Sequence, residues 1–132
     1  MNTTPASMPS TPVTRRIFFK NLELGARIGI LEHELRATQP IHIDAEFDAL
    51  SSQRVNDQDI ATVLDYRQLR SAMIEECTQA HVNLLETLVE QVAARIFAEF
   101  PEIIRVHLRI SKPQAFSDCD AVGIELEQFR HS

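Results

Sequence analysis

The feature that most constrains this chain is a change of hydrophobic period that happens twice. Residues 41–50, IHIDAEFDAL, put Ile41, Ile43, Ala45, Phe47 and Ala49 on one side and His42, Asp44, Glu46 and Asp48 on the other. A period of two over that length reads as a half-buried strand, one face on a core and one face wet. From Tyr66 the period lengthens. Tyr66, Leu69, Met73, Ile74 and Cys77 recur at helical spacing, with Asp65 placed as the cap. A second helical stripe, Leu85, Leu88, Val89, Val92, Ile96 and Phe97, follows His81 and ends before Pro101. Alternation then returns. Ile104, Val106, Leu108 and Ile110 oppose Arg105, His107, Arg109 and Ser111, Lys112-Pro113 ends that strand, and residues 122–127, VGIELE, alternate once more. Upstream, Ile17 to Ile28 (IFFKNLELGARI) reads as an opening strand with a bulge or bend at Gly25, and Gly29 opens a loop, ILEHELRATQP.

The order is therefore β-β-α-α-β-β. Two helices have to cover one face of a four-stranded antiparallel sheet, an α+β class. Such a sheet keeps two unpaired edges, which invite pairing with other copies of the chain. At 132 residues one domain with one real core is expected. We assign it to residues 15–130. Residues 1–14, rich in Ser, Thr and Pro, are expected to be a disordered tail.

Composition excludes several classes of function. The net charge is −6 and the only adjacent basic pair is Arg15-Arg16, so no nucleic-acid footprint and no attraction to an anionic membrane is expected. No apolar run approaches a membrane span and no hydrophobic stretch marks a secretory signal. Cys77 and Cys119 form no CxxC pair. Two lone thiols fit a reducing cytoplasm.

Few residues announce chemistry by spacing alone. His33, His42, His81, His107 and His131 show neither HxH nor HxxxH spacing, so no metal site is expected. Cys119 lies between two acids that oppose thiolate formation. With three glycines the chain lacks a glycine-rich phosphate loop. Lys112 stands at a strand end before a proline. Glu34 reads as a solvated loop carboxylate. Tyr66 starts a helix and is expected to lay its ring on the core. Glu86 follows Asn83 by three residues, the spacing of a capping box, and an acid in a first helical turn also suits the helix dipole.

Together, five stretches carry a family likeness. IGILEHE, TVLDY, HVNLLETLVE, ISKPQA and DAVGIELE, in this order, resemble dihydroneopterin aldolase over roughly residues 15–129. The resemblance implies the tunnelling fold, in which four subunits join their sheets into a barrel and two rings stack into an octamer, with sites at subunit interfaces. It implies a small-molecule pterin substrate and no cofactor. It implies that Glu86 anchors the pterin and that Leu85 offers backbone contacts. It assigns the catalytic lysine to Lys112, an orienting and proton-donating role to Tyr66, and to Glu34 the holding of substrate hydroxyls or a water. Thr62 stands where the family often has Asp. An epimerase of the same fold, a non-catalytic pterin-binding oligomer and a zinc-dependent relative are the alternatives.

Overall fold

The computed structural model describes residues 11–131. The elements run β1 (Val13–Ala26), α1 (Glu32–Leu35), β2 (Gln39–Ser51), a 3₁₀ turn (Ile60–Thr62), α2 (Tyr66–Thr78), α3 (Leu85–Glu99), β3 (Ile103–Lys112) and β4 (Val122–Phe129). The strands form one antiparallel sheet in the order β1-β2-β3-β4. The α+β class and the strand–helix order expected above are observed. The expected tail falls, over residues 1–10, outside the described residues. The first strand starts earlier than Ile17, since Val13 and Thr14 already pair with Ser51 and Leu50.

The strict alternation of β2 is what it promised. Ile41, Ile43, Ala45, Phe47 and Ala49 are buried and the residues between them are half-buried. They meet Val106, Leu108 and Ile110 of β3, and Leu69, Met73, Leu88, Val89, Val92 and Ile96 of the helices, in one core. Removing so many aliphatic side chains from water is the main stabilising term here, roughly 25 cal/mol per Å² of apolar surface. The opposite sheet face is a ladder of ion pairs. Arg16 reaches Asp48 at 2.8 Å, Arg105 reaches Glu127 at 2.7 Å, and His107 Nε2 lies 2.6 Å from Glu125.

Two irregularities differ from expectation. The bulge in β1 is at Lys20-Asn21, not at Gly25, which keeps register with Pro40. Core-facing residues run Ile17, Phe19 before it and Leu22, Leu24 after it, so one extra residue switches the parity. Asn21 adopts φ 57, a left-handed conformation that Asn tolerates, and its N–H donates to Asp44 at 2.8 Å. A second bulge adds one residue to β3 at Ile104, opposite the step from Asp48 to Ala49 in β2, so Ile103 and not Ile104 takes the fully buried position.

Candidate active site

The pieces of the site lie at one end of the sheet. Pro113 cannot continue the ladder, so β3 ends at Lys112, opposite Val122 of β4. Gly123 lets β4 close on that end, because a Cβ there would strike the Ile110 carbonyl oxygen. From the other direction, Gly29 takes φ 124, which favours glycine. The chain then turns into the four-residue helix α1, where the sequence predicts a loop.

Glu34 is not the solvated loop carboxylate expected from its position; it is buried. One carboxylate oxygen reaches back to accept the Leu31 N–H at 3.1 Å, fixing the start of α1. The other accepts a hydrogen bond of 2.7 Å from Lys112 Nζ. Only 17% of the lysine side chain and 8% of the glutamate side chain remain exposed, so this is a desolvated pair rather than a surface contact. The Lys112 hydrogen bond holds the Glu34 carboxyl below its ordinary range; burial pulls the other way, and the Leu31 N–H adds to the lowering.

Glu86 was expected to close a capping box with Asn83, and it does not. Helix α3 starts at Leu85 behind Leu84, and no side chain caps it. Glu86 is therefore the second helical residue, one place short of the box. The reach-back carboxylate of this chain is Glu34 on Leu31 instead. Among the described residues no hydrogen bond engages the Glu86 carboxylate, and the side chain is exposed. The first N–H groups of α3 lack a side-chain partner as well. Acceptor and donors thus stand side by side at one helix start.

These segments converge. Glu34, Lys112, Leu85 and Glu86 line one pocket of about 420 Å³ whose remaining wall includes Ile30, Leu31, Phe116 and Val122. That volume suits a small ligand. Apolar walls with one carboxylate at the helix start and one buried acid–base pair fit a flat, polar-edged molecule. Four of the five site residues expected from the sequence are brought together.

Tyr66 is the exception. It lines a different groove, with Arg15, Leu50, Ser51, Thr62 and Glu102. Nor does its ring lie on the core, being 63% exposed. The cause is its place. Asp65 caps α2 by accepting the Arg67 N–H at 3.0 Å, which makes Tyr66 the first helical residue. Helical side chains lean towards the N-terminus, so this ring projects past the last turn that could cover it. Thr62 ties its loop together, its hydroxyl accepting the Asn56 N–H at 3.0 Å and donating to the Asp59 carbonyl at 2.8 Å. Elsewhere, burial pushes the Cys77 thiol up to about 12, which keeps it unreactive.

The fold and the pocket define a class: an α+β small-molecule protein with an acid–base pair at the end of its sheet. The comparisons specify it. The family model for FolB, dihydroneopterin aldolase, matches residues 17–127, and the chain belongs to that family. The dihydroneopterin aldolase of Methylorubrum extorquens is 31% identical over 100 residues, 76% of this chain and 77% of that protein. A dihydroneopterin triphosphate 2′-epimerase of Pseudomonas aeruginosa is 28% identical over 119 residues, 90% of this chain and 96% of that one. Among solved structures, FolB of Vibrio cholerae superposes with a TM-score of 0.77 at 29% identity, covering 88% of this chain and 98% of its own. A Burkholderia dihydroneopterin aldolase bound to guanine gives 0.76 at 25% identity, covering 89% and 93%. Among the described residues no helix is long and apolar enough to cross a membrane.

Proposed function

We propose that the chain is the lyase of folate biosynthesis that cleaves 7,8-dihydroneopterin by a retro-aldol reaction, giving 6-hydroxymethyl-7,8-dihydropterin and glycolaldehyde. One observation carries the reading: in a chain of the FolB family, Glu34, Lys112, Leu85 and Glu86 line a single pocket. The Glu86 carboxylate accepts the pterin amino group and the neighbouring ring N–H in parallel, as carboxylates do from guanidinium. The Leu85 backbone at the uncapped helix start supplies further contacts. Lys112, held in the pocket by Glu34, helps remove the 2′-hydroxyl proton, directly or through a water. The C1′–C2′ bond breaks, C2′ becomes the aldehyde carbon, and its bonding pair moves into the C=N bond of the dihydropterin ring. Protonation at C1′ completes the product. Because the substrate brings its own electron sink, the reaction requires neither a lysine imine nor a metal.

Tyr66 enters this reading from a neighbouring copy. The groove it lines shares no residue with the Glu34–Lys112 pocket, and among the described residues both sheet edges, β1 and β4, lack a further strand partner. A tetramer or octamer with sites at subunit interfaces brings the two halves together. The free thiols of Cys77 and Cys119 support a cytoplasmic setting.

A second reading is favoured by the likeness to the Pseudomonas epimerase. Re-addition of glycolaldehyde to the other face would invert C2′ in the same pocket. A triphosphate calls for cations at the mouth, and neither Arg27, Arg36 nor Arg54 lines the pocket; Arg36 is 3.6 Å from Glu32 instead. The experiment is incubation of the protein with 7,8-dihydroneopterin, with and without a chelator, and chromatography of the pterins. Equal formation of hydroxymethyl-dihydropterin in both establishes the metal-independent aldolase. The C2′ epimer alone establishes the epimerase, and unchanged substrate with tight pterin binding establishes a binding module.

A further inference from the structure

His81 is absent from every role above, yet it stands where two site-bearing segments meet. The connection leaving β1 and the connection entering α3 run side by side there. The Gly29 N–H donates to the Val82 carbonyl at 3.0 Å, the Val82 N–H donates to the Arg27 carbonyl at 2.9 Å, and Ile28 and Val82 form a parallel bridge. One connection leads to Glu34. The other leads, within four and five residues of His81, to Leu85 and Glu86.

The imidazole adds a tie that the backbone does not make. Nε2 lies 2.8 Å from the Gly29 carbonyl oxygen. A carbonyl only accepts, so Nε2 carries a proton and donates. Nδ1 is buried with no partner among the described residues. The tie bears on the chemistry through Gly29. A Cβ at position 29 would overlap the Glu34 carboxylate, so the carboxylate that holds Lys112 rests directly on this glycine. Moving the Gly29 peptide moves the seat of the Glu34–Lys112 pair. His81 itself does not line the pocket.

We propose that His81 is a positioning residue: its Nε2–H bond to the Gly29 carbonyl sets the peptide on which Glu34 sits, and so sets the Glu34–Lys112 pair relative to Leu85 and Glu86. The proposal rests on the aldolase reading for its kinetic consequence. Its structural consequence stands apart from that reading.

The test uses His81→Gln, whose amide nitrogen falls where Nε2 is, and His81→Asn, whose amide is one bond too short. His81→Asn lowers kcat about tenfold, the equivalent of one lost hydrogen bond, with KM within about threefold. His81→Gln restores kcat to within about threefold of wild type. In a Glu34→Gln background the Asn substitution has no further effect, because both changes act through one carboxylate. Amide exchange of the segment 29–35, followed by mass spectrometry, quickens in His81→Asn and not in His81→Gln. Asn behaving as wild type overturns the proposal, as does an additive double variant. So does a loss that tracks the folded fraction alone and is shared by Gln. If the wild-type protein turns over no dihydroneopterin, the aldolase reading fails, and the exchange experiment still decides the role of His81.

Discussion

The Glu34 carboxylate accepts a 2.7 Å hydrogen bond from Lys112 across seventy-eight residues of chain. Each residue takes its place from a different local rule. Glu34 is carried inward by the turn at Gly29 and by its own bond to the Leu31 N–H. Lys112 is fixed by the strand end that Pro113 enforces. The pair is desolvated, and it is where the proposed reaction and the stability of this end of the sheet meet.

Replacing Lys112 by Ala separates binding from chemistry. The loss of a general base lowers kcat by on the order of 10² to 10⁴. Glu86 and the start of α3 are untouched, so neopterin affinity stays within about threefold. Single-turnover kinetics with titration of neopterin measure both. Full turnover with unchanged binding removes Lys112 from the mechanism.

The pair also gives stability a pH dependence of known sign. Glu34 has a folded-state pKa below its ordinary 4.5, so its contribution is fully present above 4.5 and is lost as the pH falls through the depressed value. Glu34→Gln forfeits that contribution, about 1–3 kcal/mol for a charged, buried hydrogen bond. The stability gap between wild type and Glu34→Gln, read from urea midpoints, is therefore widest near neutrality and closes on acidification. A gap that widens as the pH drops is incompatible with this geometry.

Glu86 offers a cleaner test, because the capping explanation and the ligand explanation now diverge. No side chain caps α3, so Asn83→Ala leaves the melting temperature nearly unchanged. Glu86→Ala costs only the dipole contribution, about 0.3–1 kcal/mol. Neopterin affinity, in contrast, falls on the order of tenfold to a hundredfold, as charged hydrogen bonds of about 1.5–3 kcal/mol are removed. Equal affinity for both proteins by calorimetry would end the pterin-anchor assignment.

What was legible in the sequence was whatever short-range periodicity records. The β2 alternation and the stripes of α2 and α3 gave the strand order, the covered face and most of the core. The β1 bulge was written there too, in the switch from Ile17 and Phe19 to Leu22 and Leu24, but Gly25 is the more familiar signal and drew the assignment. Ile104 misled because a bulge shifts which residue faces inward without altering the local pattern of side chains. The burial of Glu34 was out of reach of periodicity, since its partner is seventy-eight residues away. Glu86 was misread because NxxE matches a capping box whether or not the helix starts at the required residue. The family motifs named the pocket residues where spacing could not. They did not show that one chain keeps Tyr66 apart from the other four.

That separation yields the sharpest prediction about assembly. If each site joins the Lys112 of one subunit to the Tyr66 of its neighbour, then Lys112→Ala and Tyr66→Ala oligomers are each nearly inactive for different reasons. Lys112→Ala lacks the base in every site, and Tyr66→Ala lacks the phenol in every site. Unfolded together in equal amounts and refolded, the two chains assemble at random. About one interface in four then joins an intact lysine from one subunit to an intact tyrosine from the other. Activity returns to roughly a quarter of wild type by the same count, while simple mixing of preformed oligomers returns none. If each chain completed its own site, co-refolding would return no activity above the sum of the two variants, because no chain would hold both residues. Native mass spectrometry of the refolded mixture confirms that mixed oligomers formed, so that a null result in the assay counts against the shared site and not against the refolding.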